Sequence, residues 1–140
     1  MYRTVITAMG IAIVAGCIGM PQAAADALVC TPVMCSFLTP SRNIGCEIDF
    51  HRGNGIPDQV YCQSTNLPQS VTMSDTGEFK TCTGESCLGN AGQGTATLPY
   101  GDNAGVGPFS CYVEYAGVTC TVVAGTGFTL SNESVVPVAA

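Results

Sequence analysis

Tryptophan is absent, histidine occurs once (His51), and lysine plus arginine number four in 140 residues. So few cations argue against nucleic-acid binding, which depends on clustered basic residues to neutralise phosphates. They argue equally against electrostatic docking to anionic lipid. The chain has no C-x-x-C pair, which removes the usual basis for a thioredoxin-like redox role. It also has no G-x-S-x-G elbow of the kind that presents a nucleophilic serine. No window holds a sustained helical period, so the hydrophobic pattern excludes a helical bundle.

What the N-terminus does have is a long apolar run. Arg3 is the only charge before Asp26, and Val5 to Met20 is almost continuously apolar. Pro21-Gln22 breaks the run and Ala23-Ala24-Ala25 follows. A positive start, a short apolar stretch and an A-x-A site describe a secretory signal peptide. The run falls short of the roughly 20 apolar residues that a spanning helix needs. Cleavage after Ala25 leaves a single domain, residues 26–140, with three basic residues against ten carboxylates. A competing cut lies at Val14-Ala15-Gly16-Cys17, which resembles a lipobox in which Cys17 is lipidated. Membrane attachment is expected only by that route, through acyl chains worth about 0.8 kcal/mol per buried CH₂. Apolar residues after Cys17, where a polar tether is usual, favour the Ala25 cut.

Cysteine is abundant. Nine are present, and either cut withdraws Cys17 and leaves eight: Cys30, Cys35, Cys46, Cys62, Cys82, Cys87, Cys111 and Cys120. An even number in a short exported chain reads as a disulfide framework. Each bridge contributes about 2–4 kcal/mol, which offsets a small core. Pairing of neighbours is the preferred arrangement: Cys30–Cys35, Cys46–Cys62, Cys82–Cys87 and Cys111–Cys120, with the second and fourth stapling hairpins. Zinc is disfavoured. The spacings at Cys30/Cys35 and Cys82/Cys87 fall within the loose range for zinc pairs, but an oxidising compartment removes thiolates.

The remaining pattern is that of short strands. Asn43 to His51 alternates strictly, with Ile44, Cys46, Ile48 and Phe50 on one side. A Pro40-containing turn precedes it, and an Asn54-Gly55 turn signal separates it from a short strand, Gln59 to Cys62. Ser70 to Cys82 reads as a hairpin about Ser74–Gly77, and Thr95 to Tyr100 as a strand either stopped by Pro99 or lying at an edge where proline is tolerated. Phe109 to Val123 reads as a hairpin closed by a three-residue turn, Tyr115-Ala116-Gly117, with Gly117 left-handed. Phe128 to Leu130 is a last strand; the tail from Asn132 gives no signal. These elements predict an all-β fold, a small disulfide-stapled sandwich, barrel or meander of short antiparallel strands. The two cysteine hairpins share an apolar-x-Cys-x-apolar, Gly, Val-x-Cys order, as an internal duplication would.

Four strings in order, Thr39 to Cys46 (TPSRNIGC), Thr97 to Gly101 (TLPYG), Gly117 to Cys120 (GVTC) and Gly127 to Ser131 (GFTLS), resemble a group of small exported actinobacterial proteins. The resemblance spans roughly Phe37 to Ser131 and implies export from a mycobacterium-like cell. It carries no activity or catalytic residues. Arg42 stands where that group usually has glycine, so a turn needing positive φ there is strained.

Candidate sites are few. Glu47, Asp49 and His51 fall on one face of one strand, at a spacing of about 6.6 Å that suits a solvated face better than shared chelation. Asp75-Thr76-Gly77 spells the aspartic-protease tripeptide, but its flanks are polar and no second copy exists. Gly89, Gly92 and Gly94 make a loop with no helix start behind it to hold phosphate. Asn132-Glu133-Ser134 matches a glycosylation sequon, which a bacterial exporter does not ordinarily read. No residue is assigned as catalytic, metal-binding or cofactor-binding, and no cofactor is expected. The leading expectation is a non-enzymatic exported domain, secreted or in the cell envelope, that meets an envelope or extracellular partner through its surface, with Tyr100 and Tyr115 in turns as contact points. The alternatives are a small extracellular hydrolase using His51 and a nearby carboxylate, and a protease inhibitor presenting the loop Thr83 to Ser86.

Overall fold

The computed structural model describes residues 29–92 and 94–140. The expected signal segment and Cys17 lie outside them. Ten strands follow in chain order: β1 (Met34–Leu38), β2 (Ile44–Asp49), β3 (Gln59–Ser64), β4 (Gln69–Ser74), β5 (Phe79–Thr83), β6 (Asn103–Val106), β7 (Phe109–Glu114), β8 (Gly117–Thr121), β9 (Gly127–Ser131) and β10 (Val135–Val138). They form two five-stranded sheets, β1-β2-β3-β4-β5 and β6-β7-β8-β9-β10, each an antiparallel meander. The fold is therefore all-β, a disulfide-stapled sandwich, and no α-helix occurs among the described residues.

Period-two alternation builds both inner faces. The first sheet sends Phe37, Ile44, Cys46, Ile48, Val60, Cys62, Val71 and Met73 inward; the second sends Phe109, Cys111, Val113, Val118, Cys120, Phe128 and Leu130. Cys46 faces Cys62 across β2–β3, and Cys111 faces Cys120 across β7–β8. Both pairs sit on the second and third strands of a meander, which places the two similar cysteine hairpins at equivalent positions. All four neighbour disulfides form, Cys30–Cys35 and Cys82–Cys87 included.

The turns follow their chemistry. Arg42 N–H donates to the Thr39 carbonyl at 2.8 Å, closing the Pro40 turn, and Arg42 takes φ 62°, the left-handed conformation that glycine adopts at lower cost. Asn54 and Gly55 both have positive φ beneath a Gly53 carbonyl to Ile56 N–H bond, a type I′ turn. Ser74–Gly77 closes the β4–β5 hairpin, with Gly77 at φ 87°.

Several elements differ from the sequence reading. Residues 95–100 are not a strand; Thr97 makes one parallel bridge to Leu38, and Pro99 then enters a turn closed by Asp102 N–H on the Pro99 carbonyl. The β7–β8 connection has two residues, Tyr115 and Ala116, because Gly117 is already paired with Glu114. Gly117 is required instead by close approach, since a Cβ there would strike the Leu130 carbonyl of β9. Strands β1, β6 and β10 have no counterpart in the sequence pattern.

The outer faces differ. The segment after β5 crosses the first sheet, where Tyr61 Oη donates to the Cys87 carbonyl at 2.7 Å. Gly89 N–H donates to Gln63 Oε1 at 2.7 Å, and the Ala91 carbonyl fits against Gly45. On the second sheet Tyr112 and Glu114 of β7 stand exposed.

Candidate functional site

The single histidine leaves the strand. His51 has φ 54°, and this turn takes it off the face it was expected to share with Glu47 and Asp49. Its backbone N–H donates to Asp58 Oδ1 at 2.8 Å, and its ring Nε2 lies 3.6 Å from Asp58 Oδ2. The ring stacks on Phe50, centroids 3.8 Å apart. Arg52 takes the place beside the carboxylates instead. Its Nη1 donates to Glu47 Oε1 at 2.9 Å and to Asp49 Oδ1 at 2.8 Å. The expected solvated face is thus an ion triad that a following arginine folds back to neutralise. Burial, then the Asp49 charge, pushes the Glu47 carboxyl above its ordinary range, while Arg52 pulls the other way.

The sulfur cluster offers no metal chemistry as it stands. Sγ atoms of Cys46, Cys62 and Cys120 lie within 4.8 Å of one another, buried between the sheets. Each belongs to a disulfide and so has no thiolate to give. Asp75-Thr76-Gly77 is the β4–β5 turn, as its polar flanks suggested, and the loop Thr83–Ser86 winds into a 3₁₀ turn, Glu85–Cys87.

Two features bring residues together. A cleft of about 760 Å³ opens where β4 and β5 face the ends of β9 and β10. Met73, Phe79, Pro137 and Val138 line it with Asp58 and Lys80, so the partner of His51 borders a cavity. Its volume falls within the range of small-molecule sites.

The second feature is aromatic. Tyr100 and Tyr115, expected separately as contact points, stack on each other with centroids 4.5 Å apart and planes 24° apart. Backbone geometry forces the meeting. Gly101, at φ 89° in the Pro99–Asp102 turn, donates its N–H to the Val113 carbonyl, and Val113 N–H donates to Asp102. This lays Tyr100 alongside the end of β7, whose next turn carries Tyr115. Tyr115 is 85% exposed. Tyr112 of β7 is exposed as well, and so are Asp102 and Glu114. The sequence reading missed Tyr112; its outward place in the Phe109–Cys111–Val113 alternation was the available signal. Asp58 and the cleft gave no comparable signal, because they depend on how two distant turns approach.

The chain was compared with protein-family models, curated proteins and solved structures, and none of them matches it. Four disulfides are compatible with maturation in an oxidising compartment. No helix among the described residues is long and apolar enough to cross a membrane.

Proposed function

We propose that the chain is an exported, non-enzymatic binding domain that works through its surface, in the cell envelope or the surrounding medium. The stacked pair Tyr100–Tyr115 carries this reading. An aromatic ring kept 85% in water forgoes the burial that stabilises a core, and a rigid exposed tyrosine is a favoured contact residue. The signal-like N-terminus, the disulfide framework and the resemblance to exported actinobacterial proteins support its place outside the cytoplasm. The test is saturable retention of the oxidised protein on native envelope preparations. Retention is expected, and the variant with Tyr100→Ala and Tyr115→Ala is expected to lose it. Absence of saturable retention, or retention unchanged in that variant, overturns the reading.

A second reading rests on the His51–Asp58 pair at the border of the cleft. A histidine held by a carboxylate is the usual general base of a hydrolase. His51→Ala then abolishes turnover of a hydrolysable ester or amide while the fold survives; unchanged turnover ends this reading.

A further inference from the structure

We propose that the tyrosine surface takes a lysine- or arginine-bearing segment of a partner protein. The proposal rests on the binding-domain reading above and names the chemistry of its partner.

Charge decides among the candidates. From residue 81 to the C-terminus the chain has no lysine, arginine or histidine, whereas Glu85, Asp102, Glu114 and Glu133 are all present. Among the described residues the ion pairs are His51–Asp58, Arg52–Glu47 and Arg52–Asp49, all in the first half. Asp102 and Glu114 have no such partner and stand exposed; Glu114 precedes Tyr115 directly and Asp102 follows Tyr100 by two residues. Glu47, Asp49 and Asp58 are met by the protein's own cations; among the described residues the carboxylates from Asp75 onward have no ion pair, and of these Asp102 and Glu114 are the ones near the tyrosines in the chain.

Ring chemistry selects the same partner. A tyrosine face carries negative electrostatic potential and attracts a cation seated over it. A guanidinium stacks flat on such a face while its N–H fork reaches a carboxylate, so rings and acids act on one group. An anionic partner meets repulsion from both. A neutral sugar stacks on the rings but makes no special use of the acids. The Tyr100–Tyr115 stack is already formed within the structure, which lowers the ordering cost of binding.

The experiment titrates the purified, oxidised protein at low salt with three probes: a short arginine- and lysine-rich peptide, a glycine–serine peptide of equal length, and a neutral oligosaccharide. Binding is read by NMR shifts of the tyrosine rings. The basic peptide is expected to bind and to shift Tyr100, Tyr112 and Tyr115. Tyr115→Ala weakens it about tenfold or more, and so does the Asp102→Asn, Glu114→Gln pair. Glu85→Gln with Glu133→Gln, equal in charge change, leaves it near wild type, and Tyr115→Phe restores most of it. Tyr115 and the four acidic residues are all exposed, so these variants are expected to fold. No binding by the basic peptide overturns the proposal, as does equal weakening by the two acidic pairs, which marks bulk charge attraction. Oligosaccharide binding that needs Tyr115 but not Asp102 and Glu114 also overturns it, yet leaves the binding-domain reading standing. Loss of envelope retention together with failure of every probe removes both.

Discussion

Cys62 Sγ lies 3.8 Å from Cys120 Sγ, so the staples of the two sheets touch at the centre of the sandwich. Removing one outer partner tests that contact. In Cys46→Ala the freed Cys62 thiolate attacks Cys120 Sγ; a Cys62–Cys120 bond forms between the sheets, and Cys111 leaves as the thiolate. Non-reduced peptide mapping is expected to find that new bridge and a free Cys111. A free Cys62 with Cys111–Cys120 intact would show that the core holds the sulfurs apart.

Arg42 occupies a left-handed position at φ 62° on an exposed turn. Arg42→Gly relieves a cost of about 1–2 kcal/mol, partly offset by the freer unfolded chain. The urea midpoint is expected to rise by an amount equivalent to about 0.5–1 kcal/mol. A lower midpoint would mean that the arginine side chain contributes more than its backbone costs.

Asn43 is a buried hub. Its Oδ1 accepts from Thr65 N–H at 3.1 Å and Asn66 N–H at 2.7 Å, and its Nδ2 donates to Asn132 Oδ1 beyond β9. Asn43→Ala leaves these groups unpaired and is expected to cost about 2–3 kcal/mol in chemical denaturation. Asn43→Asp keeps the acceptor, loses the donor to Asn132, and is expected to cost less.

The ion triad sets a pH dependence. Folded Glu47 holds its proton to higher pH than it does in the unfolded chain, so this group's contribution to stability falls as pH rises through its folded value. Arg52 opposes that shift. In Arg52→Gln the shift grows, and two close carboxylates are left without their cation. The variant is expected to lose more stability at about pH 7 than near pH 4, because the loss requires an ionised Glu47 carboxylate and its raised value protonates it first. A pH-independent loss in urea titrations would count against the triad.

Strands with clean alternation were legible: Ile44–Ile48 and the Phe109–Val122 hairpin show apolar residues at every second place. Two of the disulfide pairs, Cys46–Cys62 and Cys111–Cys120, followed, since cysteines on neighbouring strands face each other once the hairpin registers are set; Cys30–Cys35 and Cys82–Cys87 rest on nearness in the chain. The strands that escaped notice had weak patterns for physical reasons. β6 contains Ala104 and Gly105, too small to mark a face, and β10 carries Pro137, which is tolerated at a sheet edge but reads as a strand breaker. In β1, Leu38 is buried directly after Phe37, which spoils the period. The site was half legible. Tyr100 and Tyr115 were recognisable as turn aromatics, but their stacking comes from Gly101 and Asp102 bonding to Val113, a tertiary pairing that no local spacing encodes. His51 was misplaced because alternation cannot report a left-handed residue at the end of a strand.

Each disulfide closes a short stretch, with separations of 5, 16, 5 and 9 residues. Not one ties the first meander to the second. The molecule therefore behaves as a tight dimer whose two members share a chain. A single cut between Cys87 and β6 leaves two separately cross-linked pieces joined by packing and hydrogen bonds alone, and denaturant without any reductant is expected to part them.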